Sequence, residues 1–125
     1  MSKSHIVSIV DDDASVRAAM ASLVRSLGFD ALAFDSAEEF LRSPRVDDSA
    51  CLITDVQMPG MSGLDLQNRL IALGRRIPII FITAFPEPAI RSRAEAGGAL
   101  AFLEKPWSGS ALIQLLRQTL CYARP

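Results

Sequence analysis

The sequence predicts an open, parallel α/β sheet covered by helices on both faces, built from five β-α units in one domain spanning residues 1–125. Three observations predict it. Short apolar runs alternate along the whole chain with longer stretches in which apolar residues recur at helical spacing. The joints between them are a few residues long and rich in Gly, Pro, Asp and Ser. The run "PIIFIT" (Pro78–Thr83) is apolar without alternation, as a strand buried on both faces requires. Parallel neighbours in such a sheet are joined by right-handed crossovers.

The elements follow in order. "HIVSIV" (His5–Val10) is the first strand. Val16, Met20, Leu23, Val24 and Leu27 fall on one face of a helix from Ala14 that Gly28 closes, with Asp13 as its N-cap. "DALAF" (Asp30–Phe34) is a short second strand, and Ser36 with Glu39 has the spacing of a capping box opening helix two. "ACLIT" (Ala50–Thr54) is strand three, followed by a helix lined by Leu64, Leu66, Leu70, Ile71 and Leu73. After strand four comes a weaker helix, Glu87 to Ala96, stopped by Gly97-Gly98. Two prolines in its approach, Pro86 and Pro88, predict a late or rigid start. "LAFL" (Leu100–Leu103) is strand five, and Leu112, Ile113, Leu115, Leu116 and Leu120 line the last helix, capped by Ser108 or Ser110.

Composition narrows the function. A net charge of −1 and a pI near 5.7 give no basic field for nucleic acid. The apolar run near the N-terminus meets Asp11 too early for a signal peptide, and no segment is long enough to span a membrane, so a cytoplasmic location is expected. Cys51 and Cys121 have neither metal-ligand spacing nor a disulfide framework and read as core or near-core thiols. His5, at the start of strand one, is too far upstream to serve the acids that follow that strand.

The polar residues gather at one edge. Asp11, Asp12 and Asp13 follow strand one, Asp55 ends strand three, Thr83 ends strand four, and Lys105-Pro106 follows strand five. In open α/β sheets ligands bind at the carboxyl ends of the strands. Several acids and one lysine collected there call for a counter-ion, and Mg²⁺ suits a site of few carboxylates that retains water.

"VDDDASVR" (Val10–Arg17), "TDVQMPGMSGLD" (Thr54–Asp65), "FITA" (Phe81–Ala84) and "FLEKPW" (Phe102–Trp107) resemble the receiver domains of two-component response regulators, in order and along the whole chain. The resemblance implies a flavodoxin-like fold with strand order 2-1-3-4-5. It implies that Asp55 is the phosphoacceptor, taking a phosphoryl group from a histidine kinase or phosphotransfer protein. It implies Mg²⁺ held by Asp12, Asp55 and the Gln57 backbone carbonyl, with Asp11 acting through water. Lys105 would pair with Asp55 and then with the phosphoryl group, Thr83 would bond another phosphoryl oxygen, and Phe102 would switch with Thr83. The signal would leave by the face of helix four, strand five and helix five, toward an output domain or effector, with homodimerisation on phosphorylation. The Lys105–Pro106 bond is expected cis. Such a domain catalyses only its own phosphorylation and dephosphorylation.

Gln57 and Phe85 stand at the two positions that tune acyl-phosphate lifetime in the family. Neither is ionised, so the phosphorylated form is expected to decay slowly. Bland alternatives sit beside these roles: Met58, Met61 and Trp107 read as packing or surface, and Phe102 as core. Two rival functions fit the residues less well. A phosphohydrolase with a nucleophilic aspartate would carry a second acid where this chain has Gln57, and a docking module without phosphorylation would not need the full set of Asp11, Asp12, Asp55, Thr83 and Lys105. The motif variants look most like receivers followed by a helix-turn-helix DNA-binding domain. Two organisations fit that likeness, a stand-alone receiver and the receiver part of a longer regulator. The chain itself has no recognition helix, so it is not expected to bind DNA directly.

Overall fold

A computed structural model describes residues 5–105 and 109–120. Its parallel sheet has the order β2-β1-β3-β4-β5, with β1 Ile6–Val10, β2 Asp30–Phe34, β3 Ser49–Asp55, β4 Ile79–Thr83 and β5 Ala101–Glu104. The helices are α1 Ala14–Ser26, α2 Ala37–Arg42, α3 Gly63–Ala72, α4 Pro88–Ala96 and α5 Gly109–Leu120, with a 3₁₀ turn at Val46–Asp48 before β3. The expected topology is therefore the observed one.

Strand side chains alternate between two cores. Val7, Ile9, Cys51, Ile53, Ile80 and Ile82 point to one face, where Met20 and Val24 of α1 meet Leu112 and Leu116 of α5. Val10, Leu52 and Phe81 point to the other, against Phe40 of α2, Leu66 and Leu70 of α3 and Ala94 of α4. Each fully buried Leu, Ile or Phe removes apolar area worth about 1.5–3 kcal/mol. The central strands β1 and β4 are buried at every position. The edge strand β2 is half exposed.

Local chemistry sets the boundaries. Asp13 caps α1 by accepting from the N–H groups of Ser15 and Val16, and Gly28, at φ +92°, takes the left-handed turn that ends it. α4 begins at Pro88, whose missing N–H costs nothing in a first turn, and Gly98 at φ +90° follows its end.

Four expectations shift. β3 reaches from Ser49 to Asp55, so the acid belongs to the strand. β5 begins at Ala101, because the Leu100 side chain is exposed while its N–H bonds Ile79 O. The capping box at α2 is half made: Ser36 accepts from Glu39 N–H, but the Glu39 carboxylate turns to Arg42. A complete box sits at α3 instead, between Ser62 and Asp65. Ser110 lies inside α5, and Ser108, Pro106, Trp107 and Cys121 fall outside the described residues. Cys51 is a core thiol, and burial pushes its pKa up to about 12. The His5 ring packs beside Phe29 at the amino edge of the sheet.

Candidate functional site

The chain reverses direction across the sheet between β1 and β3, and the carboxyl ends of these two strands deliver the acids. β1 ends at Val10, which is in register with Thr54, so Asp11 and Asp55 emerge side by side. Carboxylate oxygens of Asp11, Asp12 and Asp55 all lie within 4.8 Å of one another. Asp11 and Asp55 are buried, while Asp12 faces solvent.

The cluster is held by backbone and by one cation. Asp13 N–H donates to Asp11 Oδ1 at 2.8 Å, and Gln57 N–H to Asp55 Oδ1 at 3.1 Å. The other oxygens face Lys105, whose Nζ is 2.8 Å from Asp55 Oδ2 and 3.3 Å from Asp11 Oδ2. Lys105 is placed by its own N–H, which bonds the Thr83 carbonyl at 2.7 Å. Burial raises the Asp11 pKa, and the charge of Asp55 adds to the rise, against the pull of Asp13 N–H and Lys105. For Lys105 burial opposes the charge, but the hydrogen bond and charge of Asp55, joined by Asp11, leave its pKa raised.

Among the described residues, three carboxylates share one ion-paired ammonium, which leaves an excess of negative charge in a partly buried site. The donors are hard oxygens, so the set fits a hard divalent cation.

The remaining predicted residues surround this cluster. Thr83 is fully buried at the end of β4, and its Oγ1 accepts from Phe85 N–H at 3.0 Å, which leaves the hydroxyl proton to donate elsewhere. The Phe85 ring is 63% exposed, so in this conformation it does not seal the cleft. Gln57 has its side chain outward, while its backbone turns toward Asp55. Phe102 is buried beside Phe81, and Arg91 of α4 lies over its ring, 5.4 Å from the centroid, while also donating to the Phe102 carbonyl. Met58 and Met61 pack against the second core.

Sequence reasoning missed four contributors. Arg17 of α1 donates to the Asp11 carbonyl at 2.7 Å. Glu38 of α2 accepts from Met61 N–H. Arg91 covers Phe102. Gly63 matters through closeness, since a Cβ there would stand 2.3 Å from the Asp55 carbonyl oxygen. Only Gly63 had a local signal, as the second glycine after Asp55.

The chain matches the family model described as response regulator receiver domain over residues 7–117. It is 45% identical over 108 residues to Nodulation protein W of Bradyrhizobium diazoefficiens, covering 86% of this chain and 48% of that protein. It is 41% identical over 118 residues to Response regulator protein TodT of Pseudomonas putida, covering 94% and 52%. The chain thus spans about half the length of these relatives. Among solved structures it resembles the response regulator StyR, at TM-score 0.86 and 42% identity over 96% of this chain and 61% of that one. It also resembles the crystallised FixJ-N, at TM-score 0.82 and 33% identity over 94% of each chain. Sheet order, acid cluster and sequence likeness agree, and the chain belongs to the response regulator receiver domains of two-component systems.

Proposed function

We propose that Asp55 is the phosphoacceptor of this receiver domain and that the acids beside it hold Mg²⁺. The observation that carries this reading is the pairing of a buried carboxylate, Asp55, with Lys105 Nζ at 2.8 Å, beside two further acids. One Asp55 oxygen attacks the phosphorus of a phosphohistidine on a sensor kinase or phosphotransfer protein. The P–N bond breaks, its electron pair goes to the imidazole nitrogen, and an acyl phosphate forms on Asp55. Asp12, Asp55 and the Gln57 carbonyl would hold the ion, with Asp11 acting through water. Mg²⁺, when bound, neutralises charge on the transferred oxygens.

The chain's own groups supply the positioning. Gln57 N–H fixes the Asp55 carboxylate, and Lys105 leaves its ion pair with Asp55 to meet a phosphoryl oxygen. The Thr83 hydroxyl proton serves a second oxygen. Moving Thr83 alters the space beside Phe102, and the change spreads over α4, β5 and α5 to an output domain or effector. The domain catalyses only its own phosphorylation and dephosphorylation, and dimerisation on this face is part of the same reading. No helix among the described residues is long and apolar enough to cross a membrane. A cytoplasmic location belongs to the reading as well.

The test is incubation with Mg²⁺ and acetyl phosphate, followed by intact mass. One added phosphoryl group is expected, absent in Asp55→Asn and retained in Asp13→Asn, which keeps the oxygen that caps α1 and removes only a charge outside the cluster. A label that survives Asp55→Asn overturns the assignment.

A further inference from the structure

The loop from Val56 to Ser62 carries Gln57 and must hold its shape if the Gln57 carbonyl is to meet a cation. Its base is fixed from within: Gly63 N–H bonds the Val56 carbonyl at 2.8 Å, and Gln57 N–H bonds Asp55. Its apex is fixed from outside. Glu38 of α2, distant in sequence, reaches over and accepts from Met61 N–H through Oε2 at 3.1 Å. Gly60, at φ +77°, brings the apex so close that a Cβ there would stand 2.8 Å from the same oxygen. Turn and carboxylate are therefore fitted to each other.

The platform behind Glu38 is firm. Ser36 caps α2, and Ala37 and Phe40 on either side of the acid pair are fully buried. The Phe40 ring meets Phe34 edge-on, with centroids 5.4 Å apart. The two adjacent acids are used differently: Glu39 turns outward to Arg42, while no cation pairs with Glu38 among the described residues. A carboxylate accepting from a backbone N–H makes a stronger bond than a neutral acceptor does.

We propose that Glu38 is a positioning residue for the cation and phosphoacceptor site, acting through the Met61 N–H to hold the loop that presents the Gln57 carbonyl. The inference rests on the reading of Asp55, Asp12 and Gln57 given above. It concerns a residue outside the acid cluster, on a different helix, with no contact to the reacting atoms.

The experiment separates the two readings. Mg²⁺ is titrated without any phosphodonor, with the melting midpoint giving the apparent Kd. Phosphorylation by acetyl phosphate is then measured at limiting and saturating Mg²⁺. Glu38→Ala is expected to weaken Mg²⁺ about tenfold, the low end of what losing a group that orients a metal ligand costs in affinity. Glu38→Gln stays within about twofold of the wild type, since its amide oxygen accepts the same N–H. Metal-free Glu38→Ala is expected to melt a few degrees lower for the one hydrogen bond lost, so each variant's Mg²⁺ affinity is read against its own metal-free midpoint. Unchanged Mg²⁺ affinity in Glu38→Ala overturns the proposal. So does equal weakness in Glu38→Gln, which would assign the effect to rim charge. A wild-type protein that takes up neither Mg²⁺ nor a phosphoryl group overturns the phosphoacceptor reading itself, and this inference with it.

Discussion

Among the described residues Lys105 is the one cation ion-paired with the two buried carboxylates Asp11 and Asp55, and Lys105→Met keeps its stem while deleting the charge. In the wild type Nζ sits 2.8 Å from Asp55 and 3.3 Å from Asp11, and the three side chains are 20%, 9% and 1% exposed. Removing one partner of a fully buried pair costs about 3–5 kcal/mol. Water reaches Lys105, so the expected loss in metal-free protein is smaller, about 2–3 kcal/mol. In a domain of this size that lowers the melting midpoint by about 10 °C.

The pH dependence follows from the directions of the shifts. The Lys105 pKa is raised, so its stabilisation is fully present below the ordinary lysine value of 10.5 and is lost as pH rises through the folded value. Asp11 acts in the same direction, in a lower pH window. Its pKa lies above 3.8, so the folded protein retains a proton that the unfolded chain has shed, and stability falls as pH climbs through that interval. Without Lys105 the interval widens. The deficit of Lys105→Met is therefore greatest around neutral pH and shrinks as acid neutralises Asp11. Saturating Mg²⁺ shrinks it too, because a cation again faces the acids. Urea unfolding across pH, with and without Mg²⁺, reads all of this. Equal stability of variant and wild type near neutral pH, or a deficit that grows in acid, would refute the reasoning.

Three further outcomes are expected. Gly63→Ala costs about 2–3 kcal/mol, because its Cβ would lie 2.3 Å from the Asp55 carbonyl oxygen and 3.1 Å from Val56 Cα; thermal melting measures the loss, and phosphoryl uptake falls with it. The acyl phosphate is expected to persist for minutes or longer, since neither Gln57 nor Phe85 offers an ionised group to activate water. With the Phe85 ring 63% exposed, Phe85→Ser should shorten that lifetime by only about twofold, as a blocked radiolabel chase would show. Cys51, fully buried with its thiol raised to about 12, should resist iodoacetamide in the native state and react after unfolding.

Much of this was legible in the sequence, for identifiable reasons. The strand runs are short and strongly apolar, so a polar residue at the end of one, such as Asp55 after "CLIT" or Thr83 after "FI", is bound to appear at the carboxyl edge once the sheet is parallel. Asp13 as a cap and Gly28 as a stop depend only on neighbouring backbone. Misses arose where two local rules competed or where no local rule applies. Leu100 looked like strand because it is apolar, yet its side chain is exposed and pairing starts one residue later. Ser36 and Glu39 fit the capping box by type, but Arg42 at the next turn competes for the Glu39 carboxylate. The contacts of Glu38 with Met61 and of Arg91 with Phe102 join residues that no periodicity connects, so only the folded chain reveals them.

The central claim is that one carboxylate, Asp55, becomes an acyl phosphate. Borohydride reduces an acyl phosphate to the alcohol, so treating the acetyl phosphate-loaded protein and sequencing its peptides locates the modified residue directly. The account predicts homoserine at position 55 and unmodified aspartate at 11, 12 and 13. Homoserine at any of those three positions, or no reduction product from a protein carrying the phosphoryl label, would contradict it.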